Sequence, residues 1–112
     1  MAETVKRLGA TSPAADTTTA LYTVPASTMA VLSTILVCNR SSVSEEFYLW
    51  HVDGGGVGAE AIADAIAFGH TIDPSASIAY RLGIGMEATD SITCRTTSAT
   101  SVNFIAWGSE IA

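Results

Sequence analysis

The chain is short of charge, and of positive charge above all. Only 14% of its 112 residues are Asp, Glu, Lys or Arg, and just five are basic. These are Lys6, Arg7, Arg40, Arg81 and Arg95, and only Lys6 and Arg7 are adjacent. Binding a polyanion needs clustered cations that displace condensed counterions. A chain of net charge −6 without such a cluster is not expected to bind nucleic acid or an anionic membrane. Long apolar runs are also missing. No segment reaches the roughly 18 residues of a spanning helix. The first residues, MAETVKRLGATSPAADTTT, lack the apolar centre of a signal peptide, so synthesis in a cytosol is expected. Cysteine is scarce, and Cys38 and Cys94 are then expected to remain thiols.

Catalytic signatures are absent too. The sequence has no HExxH, no paired CxxC, no Asp-rich calcium loop and no GxSxG. Glu45 and Glu46 are adjacent in a strand-like run and would point to opposite faces. His51, Asp53, Glu60, Asp64 and His70 are metal-ligating types. A zinc-like ion needs three or four of them to converge, and no ligand spacing specifies that. The run DGGGVG at residues 53–58 lacks the Lys and the parallel βαβ unit of a phosphate loop. It is expected to be a flexible hairpin tip. No enzyme activity, cofactor or metal is expected.

What is present is a repeated strand habit. Short runs rich in Val, Ile, Leu and Thr alternate with Gly, Asp, Ser and Pro breaks. Residues 20–24 predict a strand, 25–27 a turn and 28–39 a long strand with apolar residues on both faces. A strand of that kind is covered on both sides. Residues 45–53, EEFYLWHVD, place Phe47, Leu49 and His51 on one face and Tyr48, Trp50 and Val52 on the other. Residues 59–67, AEAIADAIA, favour a helical turn. Strands then follow at 68–72, 77–82, 91–97 and 102–111, with a turn at 98–101. After 77–82, Gly83 and Gly85 interrupt the chain while Ile84 and Met86 continue the same alternation.

This pattern predicts an all-β fold, a small antiparallel β-sandwich of about seven or eight strands, jelly-roll or immunoglobulin-like. Residues 1–19 show no period and predict an extended N-terminal arm; residues 20–112 form the sandwich domain. Cys38, Trp50 and Cys94 loosely follow the immunoglobulin spacing, but Ile92 stands where the corner Tyr belongs. With 48% apolar residues and so little charge, the surface suits a subunit covered by copies or partners.

Three segments carry a resemblance. They are LYTVPASTMAVLSTILVCNRSS at 21–42, TIDPSASIAYRLGIGMEATDSITCRTTS at 71–98 and VNFIAWGSEIA at 102–112. In this order they cover more than half of the chain, which resembles a group of small bacteriophage virion proteins. Residues 54–69 look like an insertion relative to that pattern. The resemblance implies a structural subunit of the particle, as a capsid decoration or in the tail, neck or baseplate. It implies other virion proteins and further copies of the chain as partners, location in the virion and no catalytic residues. Tyr48, Trp50, Trp107, Lys6 and Arg7 are the expected contact residues; for each aromatic the competing role is core packing. The alternative function is a ligand-binding β module for a carbohydrate or a host receptor, using residues 54–70 as its loop.

Overall fold

A computed structural model describes residues 3–97 and 101–112. The described residues form eight strands: β1 (Glu3–Thr11), β2 (Thr19–Thr23), β3 (Met29–Asn39), β4 (Glu45–Val52), β5 (Ala65–Ile72), β6 (Ser77–Met86), β7 (Ser91–Thr96) and β8 (Val102–Ile111). Sheet A has the order β1-β8-β3-β6 and sheet B the order β2-β7-β4-β5. All the pairings between these strands are antiparallel. The pairs β1·β8, β2·β7, β3·β6 and β4·β5 are nested one inside the next. That nesting is one long ribbon rolled onto itself, which is the jelly-roll form of the sandwich.

The core lies between the sheets and is fully apolar at its centre. Leu32, Ile35, Val37, Phe47, Leu49, Ile92, Val102 and Phe104 are completely buried. Phe47 sits edge-on to Phe104, with ring centres 6.0 Å apart. Each buried aliphatic or aromatic side chain of this kind contributes about 1.5–3 kcal/mol.

Polar clasps close the sandwich. Asn39, wholly buried at the end of β3, donates to the carbonyls of Val43, Ile72 and Asp73 at 2.8–3.2 Å. Its Oδ1 accepts from the Ser41 amide and hydroxyl. On one seam the Tyr22 hydroxyl of β2 donates to Glu110 of β8 at 2.5 Å. On the other, the Tyr80 hydroxyl of β6 lies 3.1 Å from His70 Nδ1 of β5.

Three sequence expectations need correction. Residues 3–11, expected within a free arm, are the edge strand β1, paired with β8 along its length. The strand was hidden because it buries almost nothing: its first five residues are exposed, so no apolar alternation marks it. The helical turn expected at 59–67 is reduced to the 3₁₀ turn Ile62–Asp64. Ile62 is 83% exposed and gains nothing from helix packing, while from Ala65 onward the backbone pairs with β4. The two-faced apolar character of β3 has a local cause. A bulge at Ser33 shifts the register between Leu32 and Thr34. Ala30 and Leu32 face inward before it, and Ile35 and Val37 after it. The expected turn at 98–101 lies largely outside the described residues.

Candidate interaction surfaces

Strand register fixes what each sheet shows to the outside. In sheet A one row crosses all four strands: Arg7, Trp107, Thr34 and Arg81. The next row toward the C-terminal end of β8 is Val5, Ser109, Val31 and Gly85. Beyond it, Glu3, Ile111 and Met29 form the rim. On the other side of the Arg7 row come Ala10, Ile105, Leu36 and Ala79, then Asn103, Cys38 and Ser77. This face is mostly apolar or small, with Arg7 and Arg81 as its inner charges, Asn103 bonded to Arg40 at one end and Glu3 at the other rim. Val5 is 82% exposed, Met29 56%, Val31 39% and Trp107 37%.

The face is creased at the level of Trp107. Leu8 in β1 and Ser33 in β3 are bulged relative to β8, and Leu82 with Gly83 oppose Ser33. Bulges bend a strand and re-aim its side chains. At Gly108 the β3 backbone comes so close that a Cβ would stand 2.1 Å from the Val31 carbonyl oxygen. Glycine alone fits there. The resulting groove is lined by Val5, Val31, Ser33, Trp107, Gly108 and Ser109. Two further grooves border the same strand, one at Met29 and Ile111 and one at Ala10 and Ile105.

Sheet B presents an aromatic row instead. Arg95, Tyr48 and Phe68 are cross-strand neighbours. Phe68 is 62% exposed and meets Tyr48 edge-on at 5.1 Å. The row exists because Gly69 forms a bulge in β5 at φ +64°, a left-handed conformation that side chains rarely adopt. The extra residue sets Phe68 beside Tyr48 on the outer face and His70 beside Phe47 at the seam, with rings stacked at 5.4 Å. Tyr48 in turn stacks on Trp50 at 5.6 Å and 8°. The Arg95 guanidinium lies 4.4 Å above the Tyr48 ring and 3.3 Å from Asp16.

The expected contact residues therefore separate. Trp107 and Arg7 are neighbours on the outer face of sheet A. Tyr48 and Trp50 lie on sheet B, and Trp50 is only 7% exposed, which makes it a packing residue. Lys6 points the other way from Arg7 and bonds to Glu110 at 3.2 Å. Sequence reasoning passed over Arg81, Val5, Val31 and Phe68; only the register brings them into these rows.

The polar candidates do not converge. His51, near the end of the interior strand β4, lies 3.6 Å from Asp90, whereas His70 is on the edge strand β5 beside Phe47. Glu60 accepts from the Gly58 amide and Asp64 from the Ala61 amide. Among the described residues no group of three or more His, Cys, Asp or Glu is placed to hold a metal ion. Cys94 faces the core, where burial pushes its thiol up to about 12; such a thiol is a poor nucleophile at neutral pH. Both cysteines are free. Compared with known proteins, the chain matches no family, no curated protein and no solved structure.

Proposed function

We propose that this chain is a structural subunit of a bacteriophage particle, a capsid decoration or a tail, neck or baseplate component. It binds other virion proteins through an outer face of its sandwich. The observation that carries this reading is the outer face of sheet A. Across four strands it shows mostly apolar or small side chains, a partly exposed Trp107, arginines only on its two edge strands (Arg7 and Arg81) and no carboxylate inside its rim. Contiguous apolar surface of this kind marks protein contacts, and depletion of charge marks the centre of an interface. The jelly-roll topology is compatible with this role, since viral coat proteins use it, although the same fold also serves lectins and enzymes. The weight therefore rests on the surface and on the sequence resemblance. The grooves are open and separate, two beside β8 and one at the end of the sandwich, rather than one concave polar site, which favours a protein partner over a small ligand.

The test is composition of the particle. Phage purified through a density gradient should contain the chain at a fixed, multiple copy number by quantitative mass spectrometry. A chain found only in the lysate, with none in washed particles, would refute the proposal.

A further inference from the structure

The structure carries two outer faces of complementary character, and this bears on what covers the face on which the proposed function rests. We infer that copies of this chain associate face to back. The outer face of sheet A in one copy packs on the outer face of sheet B in the next.

Charge is the first argument. Sheet A shows Arg7 and Arg81, both exposed, and neither has a carboxylate within ion-pair distance among the described residues. Sheet B shows Glu46, exposed and in phase with Tyr48 on β4. Asp16 and Arg95 neutralise each other beside it. Asp53, Glu60 and Asp64 lie in the segment joining β4 to β5, at the end of the same sheet. Sheet A meeting sheet A would gather four arginines, with carboxylates (Glu3 and Glu87) only at the rims. Sheet B meeting sheet B would set Glu46 and the acidic segment against their own copies. Only the face-to-back contact puts arginine against glutamate, and like-charge juxtaposition at an interface suppresses the wrong pairing.

Apolar surface is the second argument. Val5, Val31 and Trp107 border a groove on sheet A, while Phe68 stands out from sheet B at 62% exposure. A projecting aromatic ring seated in a groove is the usual anchor of an interface. Because the two faces point in opposite directions, the contact is heterologous. Any open series keeps one unused face of each kind, one at either end, so it closes as a ring or continues as a stack.

Sedimentation of the purified chain over a range of concentrations tests this. Wild type should self-associate, less so at high salt. Arg81→Glu spoils one face and Glu46→Arg the other, so each variant alone should associate at least about tenfold more weakly. An equimolar mixture should regain association, because each variant retains the intact face that the other lacks and the two altered faces carry swapped charges. Trp107→Glu and Phe68→Glu form a second pair, whose mixture should stop at one-to-one dimers because both altered faces are then acidic. This pair also serves should either charge variant fail to give a β-rich circular dichroism spectrum. A wild-type chain that stays monomeric overturns the inference. So does association lost by one variant of a pair and untouched by the other, since that means a face meeting itself. A monomeric chain that is nevertheless present in particles overturns this inference alone. A self-associating chain absent from particles overturns the proposed function alone.

Discussion

Trp50 and Trp107 occupy comparable places with opposite outcomes. Each points outward from an interior strand, Trp50 on β4 of sheet B and Trp107 on β8 of sheet A. Sheet B completes the surroundings of its tryptophan from within the chain. Tyr48 stacks on it, Arg95 covers Tyr48, and Asp16 holds Arg95. Sheet A leaves Trp107 between Arg7 and Thr34, 37% exposed. Residue type does not separate the two. The neighbours supplied by β5 and by the segment before β2 do. Sheet B has spent Trp50 and Tyr48 on its own stability, whereas sheet A leaves Trp107 partly open to solvent.

The largest expected effect separates these two residues. Trp50→Ala removes a buried ring and its stack on Tyr48, and should lower unfolding free energy by about 3 kcal/mol. Trp107→Ala removes a partly exposed ring and should cost about 1 kcal/mol or less. Urea denaturation of both variants in dilute, monomeric solution measures the difference. Equal losses would break the comparison, because Trp107 would then belong to the fold as much as Trp50 does.

A second, somewhat smaller effect sharpens it. If the outer face of sheet A is spare, the polar groups that stabilise that sheet must lie at its seams and ends. Asn39 is the strongest of these, because its amide joins the end of β3 to the carbonyls of Ile72 and Asp73. Asn39→Ala would leave those acceptors and the Ser41 donors without their partner. The expected loss is about 2 kcal/mol, read from the same denaturation curves. Association of the folded fraction should be unchanged.

The strands were legible in the sequence where burial alternates. The run EEFYLWHV gives β4 and its two faces directly, and VNFIAWGSEI gives β8, because core and surface residues take turns there. Legibility failed where alternation is broken or absent. β3 reads as apolar on both sides only because Ser33 shifts the phase halfway along it. β1 is invisible because its partner is an edge contact with little buried surface. The rows that make up the two outer faces could not be read at all. Arg7, Trp107, Thr34 and Arg81 are scattered over a hundred residues of chain, and their meeting depends on three bulges and on strand order. Phe68 and His70 would share a face in a regular strand; the bulge at Gly69 parts them.

The smallest expected effect probes the same strand as Trp107 from its other side. Glu110 of β8 accepts from the Tyr22 hydroxyl and from Lys6. These hydrogen bonds, Tyr22 first, hold its carboxyl below the ordinary value of 4.5. Burial, then the bond to Glu110, raises Tyr22 above its ordinary 10.0. The signs follow from linkage. The carboxylate's contribution is complete above the ordinary carboxylate range and disappears as pH falls through the lowered folded value. The phenol's contribution holds below pH 10 and fades as pH rises beyond it. Glu110→Gln should therefore cost about 1 kcal/mol or less at neutral pH, the net worth of a typical hydrogen bond. Thermal melts from pH 7 down to pH 3 should converge for variant and wild type as Glu110 protonates. Self-association measured beside them should not change at pH 7, since the side chain faces the seam with β2 and not the outer face. A Glu110→Gln variant that lost association while keeping its melting temperature would instead place the inner edge of β8 in the interface, and the division between the two sides of that strand would fail.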